Sequence, residues 1–248
     1  MLVQFMVKNF LSFRDETVLD MTAINAYKEH ESNLIDIGGK EKFLRVAAIY
    51  GANASGKSNL YLAMTCFQKI IAESLNNVYN KSETAVSRFY MPFLFEEAGE
   101  NTEFQVIEII EDSEYKYCFE YNADSVVTEW LYRKSLTTNR TSTIFERTSA
   151  KIEFGASVRK ECDAYKEQIP PETLVLSFFN KLKLKTNIFR SIYSGIMDTL
   201  VVPSDFCEDL QFLQECLPDI IDYEKEKLTE FLSAIDTGIK DIFYPNVS

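Results

Sequence analysis

The N-terminal residues alternate between apolar and polar positions, which is the pattern of a β-strand with one buried face. Residues 2–7 form the first alternating run, residues 9–15 (N-F-L-S-F-R-D) are typical of a turn, and residues 17–21 (T-V-L-D-M) return to β character. The pattern therefore predicts a β hairpin. The polar residues 23–42 are predicted to form a loop. His30 within it is interpreted as a solvated residue, because the sequence holds no second histidine to share a metal.

A short apolar run and an amphipathic stretch flank a segment that contains two glycines. Residues 44–50 (L-R-V-A-A-I-Y) are apolar and partly β-branched and end at Gly51, which predicts a buried parallel strand. After the glycines, apolar residues recur at helical spacing, at Leu60, Met64, Phe67, Ile71 and Leu75. We therefore expect a strand, a loop and a helix in this order.

Between residues 88 and 155 the periodicity changes to that of strands. Short aromatic and β-branched runs occupy residues 91–95, 103–110, 115–121, 126–133 and 143–147. Turn-prone segments separate them, so we expect an antiparallel sheet. Four aromatic residues share one face of its second long strand: Tyr115, Tyr117, Phe119 and Tyr121. Core packing is favoured over base stacking for this face, because Lys116 stands without a wider basic field.

Beyond Gly155, helical patterns dominate. They predict helices over residues 158–168, 186–199, 205–217 and 220–235, with a short apolar segment at residues 173–179. Basic residues concentrate in one cluster: Lys181, Lys183, Lys185 and Arg190. Such a cluster is typical of a solvated face, and a contact with nucleic acid or another partner is the alternative.

Composition and charge narrow the class of protein. Of 248 residues, 46% are hydrophobic, which indicates a folded chain. The 26 basic and 38 acidic residues give a net charge of −12. This charge argues against a uniformly basic surface that binds DNA. Five cysteines without C-x-x-C spacing predict reduced, packed thiols in a cytoplasmic protein. No segment reaches the ~18 apolar residues that a membrane span needs.

Residues 51–58 match the phosphate-binding (Walker A) pattern G-x-x-x-x-G-K-[ST]. The two glycines allow backbone angles at which N–H groups converge on phosphate oxygens, and the following helix adds its positive N-terminal end. Lys57 is predicted to neutralise the β and γ phosphates of ATP, and Ser58 to ligate Mg²⁺, so these two are the candidate catalytic residues. The predicted cofactor-binding residues are Gly51, Ala52, Asn53, Ala54, Ser55, Gly56, Lys57, Ser58 and Asn59.

Two segments together resemble a known family: M-L-V-Q-F-M-V-K-N-F-L-S-F-R-D at residues 1–15, and A-I-Y-G-A-N-A-S-G-K-S-N-L at residues 48–60. They are similar to the head domain of ATP-binding-cassette (ABC) ATPases of the SMC, RecF and OLD class, and most similar to bacterial AAA-family ATPases of abortive-infection and phage-defence systems. The resemblance implies that the N-terminal turn approaches the base and ribose, through Asn9, Ser12, Phe13 and Arg14. The alternative for these residues is an ordinary hairpin turn.

The patterns and the resemblance together predict an α/β protein with a P-loop NTPase core like that of an ABC-ATPase head. The expected divisions are a nucleotide-binding core with the hairpin at residues 1–87, an inserted antiparallel β subdomain at residues 88–155 and a helical region at residues 156–248. The resemblance implies an ATP-driven sensor or switch in antiphage defence, a homodimer or higher homo-oligomer, and an effector or nuclease partner. A head of the DNA-repair or chromosome-maintenance type is the alternative, and the choice between ATP and GTP stays open.

Hydrolysis in this class needs further motifs: an apolar strand ending in Asp-Glu, a serine-glycine signature and a late histidine. In I-E-I-I-E-D at residues 107–112 the acids come in the wrong order, Ser194–Gly195 lies in no signature context, and no histidine follows His30. The chain alone is therefore expected to bind ATP without hydrolysing it. A truncation, a split gene and an engineered fragment are all compatible with this pattern. The alternative function is a nucleotide-responsive interaction module that binds ATP without turnover.

Overall fold

The computed structural model describes residues 1–24, 31–38, 41–75, 84–95, 101–199, 225–227 and 229–230. The chain divides into two compact units. The first comprises Met1–Ala48 and Ser58–Val201, and the second comprises Ile49–Lys57 and Val202–Ser248. The strands, and the helices from residue 58 to residue 199, belong to the first unit.

The main sheet of the first unit has seven strands in the order β2-β1-β5-β6-β7-β8-β9. These strands are β1 (Leu2–Lys8), β2 (Thr17–Asp20), β5 (Thr102–Ile110), β6 (Ser113–Tyr121), β7 (Val126–Ser135), β8 (Thr141–Arg147) and β9 (Ile152–Phe154). A separate ribbon consists of β3 (Leu34–Asp36) and β4 (Lys42–Leu44). Every strand pairing among the described residues is antiparallel. The described chain is therefore a mixed α/β structure with an antiparallel sheet.

The predicted N-terminal hairpin is confirmed, and it is part of the main sheet. β1 pairs with β2 on one side and with β5 on the other, where Val7 lies opposite Phe104. The predicted strands over residues 103–110, 115–121, 126–133 and 143–147 are confirmed as β5 to β8. The sheet is therefore continuous between the hairpin and the β region that follows residue 88, while the proposed three-part domain division stays a prediction.

Five helices lie in the first unit's described residues, the first of them starting at its boundary. They are α1 (Lys57–Glu73), α2 (Ala85–Arg88), α3 (Arg159–Cys162), α4 (Val175–Lys181) and α5 (Ile188–Thr199), with 3-10 turns at Glu31–Asn33 and Asp163–Gln168. The helix predicted over residues 186–199 is confirmed as α5. The one predicted over residues 158–168 is divided between α3 and a 3-10 turn. Residues 225–227 and 229–230 are helical, and the rest of the helices predicted after residue 200 lies outside the described residues.

Aromatic side chains fill the core between α1 and the sheet. Phe67 of α1 stacks on Phe119 with ring centroids 5.6 Å apart, and it meets Phe104 edge to face at 6.0 Å. All four aromatic residues that the sequence placed on one face of β6 are at most 8% exposed. The prediction that this face packs in the core is therefore confirmed.

A buried ionic network connects α4 to the sheet. Glu129 of β7 is fully buried, and its carboxylate accepts hydrogen bonds from the N–H groups of Val175 (2.7 Å) and Leu176 (3.1 Å) and from the Tyr117 hydroxyl (2.9 Å). The Arg147 guanidinium lies 3.8 Å from the same carboxylate and donates to three carbonyl oxygens just before α4. Burial raises the pKa of Glu129 in spite of Arg147 and these donors. The carboxylate caps α4, whose N-cap residue makes no side-chain hydrogen bond to the helix.

The prediction of a buried parallel strand at residues 44–50 is wrong. β4 ends one residue into this run, and the residues after it are exposed, with Tyr50 at 88%. The Asn33 side chain holds the backbone just after β4, where its Oδ1 accepts a hydrogen bond from the Val46 N–H at 3.0 Å. No described strand runs alongside the following residues, so their backbone lacks the partner that a buried strand requires.

Two further local predictions need correction. Residues 91–95 form no strand, since Pro92 inside this run has no N–H to contribute to a ladder. Residues 23–42 were expected to be a loop, yet they contain β3, the start of β4 and a 3-10 turn. His30 lies outside the described residues.

The described cysteines behave as the sequence predicted. Cys66, Cys118 and Cys162 are buried and take part in no disulfide bond, while Cys207 and Cys216 lie outside the described residues. As to membranes, the helices that the structure describes include none with both the length and the apolar character needed to cross one.

Candidate functional site

The loop that matches the phosphate-binding pattern has a tightly curled backbone. Ala54 has a φ of 60° and Gly56 a φ of 91°, and the Ser55 N–H donates to the Ala52 carbonyl at 3.3 Å. Left-handed residues within a short turn direct neighbouring N–H groups to the same side, which is how backbone concavities bind anions. Residues 51–55 are exposed to solvent. This backbone form is compatible with an anion that approaches from solution.

The geometry of the loop requires glycine at one of the two positions of the pattern. Gly56 has a φ of 91°, in the left-handed region where a side chain is strained. A Cβ on Gly51 would lie 3.0 Å from the Ser55 Oγ, so the serine side chain would have to rotate to admit it. A larger residue at position 56 would therefore strain the loop backbone.

Lys57 is the first residue of α1 and its side chain folds back over the loop. Its Nζ donates hydrogen bonds to the carbonyl oxygens of Gly51 (2.9 Å) and Ala52 (2.7 Å), and it lies 3.4 Å from the Ser55 Oγ. The ammonium group is therefore held by three oxygens of the same loop. α1 is 17 residues long, so its N-terminal N–H groups and dipole add positive potential at the same end.

Ser58 offers an exposed hydroxyl in the first turn of α1. The described residues contain no group of three or more His, Cys, Asp or Glu side chains that could hold a metal ion. Mg²⁺ is commonly bound through few protein ligands, together with substrate phosphates and water. The residues at this position therefore fit a Mg²⁺ ion that arrives with a nucleotide, with Ser58 as the protein ligand.

Asn59 connects α1 to the N-terminal turn. Its Nδ2 donates a hydrogen bond of 2.7 Å to the Oγ of Ser12, which is 47 residues away in the sequence. The structure thus brings together two of the predicted site residues from separate motifs. Phe13 and Arg14 follow Ser12 on the same turn, where Phe13 is half-buried and Arg14 is exposed.

The N-terminal turn is held firmly by its own hydrogen bonds. Phe10 and Phe13 exchange two backbone hydrogen bonds of 2.8 Å, and Phe10 is fully buried. Asn9 is 2% exposed, its Oδ1 accepts from the Phe93 N–H at 2.9 Å, and its Nδ2 donates to the Asn101 carbonyl at 3.3 Å. The Asn9 side chain therefore stabilises the fold, whereas the predicted site residues Ser12 and Arg14 are exposed and Phe13 is half-buried.

Three acidic residues lie in the I-E-I-I-E-D segment at the end of β5: Glu108, Glu111 and Asp112. Glu108 is 1% exposed, and burial raises its pKa to about 7. Glu111 is exposed with a φ of 54°, and Asp112 accepts a hydrogen bond from the Ser113 hydroxyl at 2.9 Å. Glu108 faces the protein core, so it has no access to an attacking water.

No protein-family model matches the chain, and no curated protein is significantly similar to it. The assignment of the site therefore depends on its residues and geometry, together with the resemblance of its two N-terminal motifs.

Proposed function

We propose that residues 51–59 bind the phosphates of Mg-ATP, and that the chain is the ATP-binding part of an ABC-type ATPase. The observation that carries this proposal is the position of the Lys57 ammonium group. It lies over the loop at the N-terminus of α1, held by the carbonyl oxygens of Gly51 and Ala52. When a nucleotide binds, the ammonium group would replace its hydrogen bonds to neutral carbonyl oxygens with hydrogen bonds to charged phosphate oxygens.

Phosphate oxygens are better partners for Lys57 than the carbonyl groups it contacts. A phosphate oxygen carries negative charge, so it attracts the ammonium group through a Coulomb interaction between full charges that a neutral carbonyl oxygen lacks. An incoming triphosphate would also face the loop N–H groups and the helix dipole. When bound, Mg²⁺ would neutralise charge on the β and γ phosphates, and the Ser58 hydroxyl is the protein ligand we assign to it.

We assign Ser12, Phe13 and Arg14 to the neighbourhood of the base and ribose, as the resemblance implies. The hydrogen bond between Ser12 and Asn59 supports this assignment, because Asn59 belongs to the same sequence motif as Lys57 and Ser58. The exposed Arg14 provides a cation, and the half-buried Phe13 ring provides an apolar surface.

The wider role we propose is an ATP-driven sensor or switch in bacterial antiphage defence. This part of the proposal rests on the resemblance of residues 1–15 and 48–60 to abortive-infection ATPases. It includes a cytoplasmic location, assembly into a homodimer or higher homo-oligomer, and action through an effector or nuclease partner.

The purified chain is expected to bind ATP at least about tenfold more tightly than AMP in the presence of Mg²⁺. The loop and Lys57 act on the phosphates that AMP lacks, and one charge-assisted hydrogen bond contributes about 1.5 kcal/mol, which is roughly tenfold in affinity. Isothermal titration calorimetry with ATP, ADP, AMP and adenosine measures this difference. Equal affinities for ATP and adenosine would refute a phosphate site.

The same chain is expected to release phosphate from ATP no faster than the uncatalysed background. Its sequence contains no apolar strand followed by Asp-Glu and no late histidine. Removing a general base or a transition-state donor typically costs a factor of about 10² to 10⁴ in rate. A phosphate-release assay on the chain alone tests this, with a protein that supplies the missing motifs added in a parallel sample.

The second candidate function is a module that binds ATP and changes its interactions without hydrolysis. The absence of hydrolysis motifs within these 248 residues favours it. Turnover only in the complemented sample would support the ATPase part, whereas binding without turnover in both samples would support the module. Robust turnover by the chain alone would contradict the expected background rate and the module without hydrolysis, and Glu111 and Asp112 would then be the first residues to replace.

A further inference from the structure

Glu108 is a buried carboxylate with no hydrogen-bond partner among the described residues. It lies on β5, on the same face as Phe104 and Val106, which belong to the main core. It is 1% exposed, and neither of its oxygens is hydrogen-bonded to any residue in the part of the chain that the structure describes. The ionised form of such a group is disfavoured, because burial removes its hydration and no described donor is in hydrogen-bonding geometry to replace it.

Helix α5 lies directly over Glu108. A Cβ added to Gly195 in the middle of α5 would clash with the Cδ1 of Ile110 and would lie 3.4 Å from the Oε2 of Glu108. Glycine inside a helix usually costs about 1 kcal/mol relative to alanine, so its presence here is explained by the close approach of the two elements. This contact between α5 and β5 keeps water away from the carboxylate.

The polar and charged groups around Glu108 come from the elements that pack beside it. Asp198 of α5 raises its pKa, whereas the N-terminal ammonium group at the start of β1 and the Thr199 hydroxyl lower it. The hydroxyl is near enough to act on the carboxylate, although it is not in hydrogen-bonding geometry. On β6, Tyr115 lies opposite Glu108 in the register. Burial is the largest effect, and the pKa rises from 4.5 to about 7.

We propose that Glu108 and α5 form a pH-dependent switch, in which α5 packs against β5 while Glu108 is protonated and separates from it when Glu108 ionises. An ionised carboxylate here can regain water only if the helix above it moves. Asp198 on the same helix adds repulsion between like charges. Both effects act on α5, because β1 and β6 are fixed to β5 by their backbone ladders.

The direction of the pH dependence follows from the raised pKa. Well below pH 4.5 the carboxyl group is protonated whether or not α5 is packed, so the packed state has no charge to bury. As the pH rises from 4.5 through about 7, the separated state loses its proton more readily than the packed state, so the equilibrium shifts towards separation. The pKa of Glu108 differs between the packed and the separated state. The equilibrium constant for separation therefore rises by roughly ten- to a hundredfold between pH 5 and pH 8.

Hydrogen exchange measured by mass spectrometry tests the switch in the unmodified protein. Protection factors, from which the intrinsic pH dependence of exchange is removed, are compared between pH 5.5 and pH 8 for peptides from α5, α1 and β6. We expect protection of α5 to fall by at least about tenfold at pH 8 while that of α1 and β6 stays the same. Equal protection of α5 at both pH values would overturn the proposal, whatever any variant does.

The substitution Glu108→Gln removes the charge at nearly constant volume. Protection of α5 in this variant is expected to be independent of pH and at least as high as that of the unmodified protein at pH 5.5. Glu111→Gln is the matched control, since Glu111 is exposed in the adjacent turn, and its α5 should respond to pH as the unmodified protein does. A pH-dependent loss of α5 protection that persists in Glu108→Gln would assign the effect to another group and refute the role of Glu108.

Discussion

Replacing Lys57 with alanine is expected to weaken the binding of Mg-ATP by about 100-fold. The ammonium group is the cation that the loop itself holds in place, through contacts of 2.9 Å and 2.7 Å with the Gly51 and Ala52 carbonyls. Losing its contacts to two phosphate groups removes about 3 kcal/mol, which corresponds to roughly two powers of ten in affinity. Isothermal titration calorimetry gives the dissociation constants directly.

Two further variants separate loss of charge from loss of loop structure. Lys57→Gln keeps a hydrogen-bond donor for the loop carbonyls but removes the charge, so its affinity for ATP should fall nearly as far as that of Lys57→Ala. Lys69→Ala changes a half-buried lysine on the same helix, away from the loop, and should leave binding unchanged. If Lys57→Ala bound Mg-ATP as tightly as the unmodified chain, the loop would not be the nucleotide site.

Replacing Glu129 with alanine is expected to lower the free energy of unfolding by about 3–5 kcal/mol. The substitution would leave the Arg147 charge buried without its partner, together with two N–H groups at the start of α4 and the Tyr117 hydroxyl. Breaking one side of a buried ion pair has a cost of about this size. Urea denaturation followed by fluorescence measures it, because the single tryptophan, Trp130, adjoins Glu129 in β7.

The matched control for Glu129 is Glu146 on the neighbouring strand. Glu146 is exposed and accepts a hydrogen bond of 2.6 Å from the Tyr132 hydroxyl. Its replacement by alanine should cost less than about 1 kcal/mol, since exposed interactions contribute little. Equal losses in the two variants would mean that the buried network does not stabilise α4 as described.

The strands of the main sheet were predictable because each carries its own signal. In β6 the alternation from Tyr115 to Tyr121 fixes which side chains enter the core, and the structure buries all four aromatic residues on that face. The phosphate-binding pattern was visible for a similar reason, since residues 51–58 are contiguous. Such signals need no knowledge of distant parts of the chain.

Residues 44–50 show why other predictions failed. An apolar, β-branched composition indicates that a segment can be buried in a sheet, but burial also requires a neighbouring strand. Asn33 accepts a hydrogen bond from the Val46 N–H near the start of this segment, and no described strand pairs with the residues that follow. The composition of a segment does not reveal whether another strand lies beside it, so the prediction of a buried strand failed here.

Other contacts could not be predicted because they join residues that are far apart in the sequence. The Ser12–Asn59 hydrogen bond joins residues 47 positions apart, and no local pattern encodes it. Glu108 and Glu129 were partly visible, because each is a charged residue in phase with the inward-facing positions of its strand. An acidic residue in such a position signals either a paired network or a raised pKa, and only the three-dimensional neighbours decide which.

The pairing of β1 with β5 has a consequence for how the protein folds. Asn9 donates to a carbonyl 92 residues further along the chain, so the turn that follows β1 cannot acquire its final contacts until residue 101 has been synthesised. At about 5–20 residues per second on a ribosome, the first hairpin waits several seconds for its second neighbour. Contacts between distant residues also slow folding, because the intervening loop must close first. During synthesis, one edge of β1 therefore stays unpaired until β5 emerges.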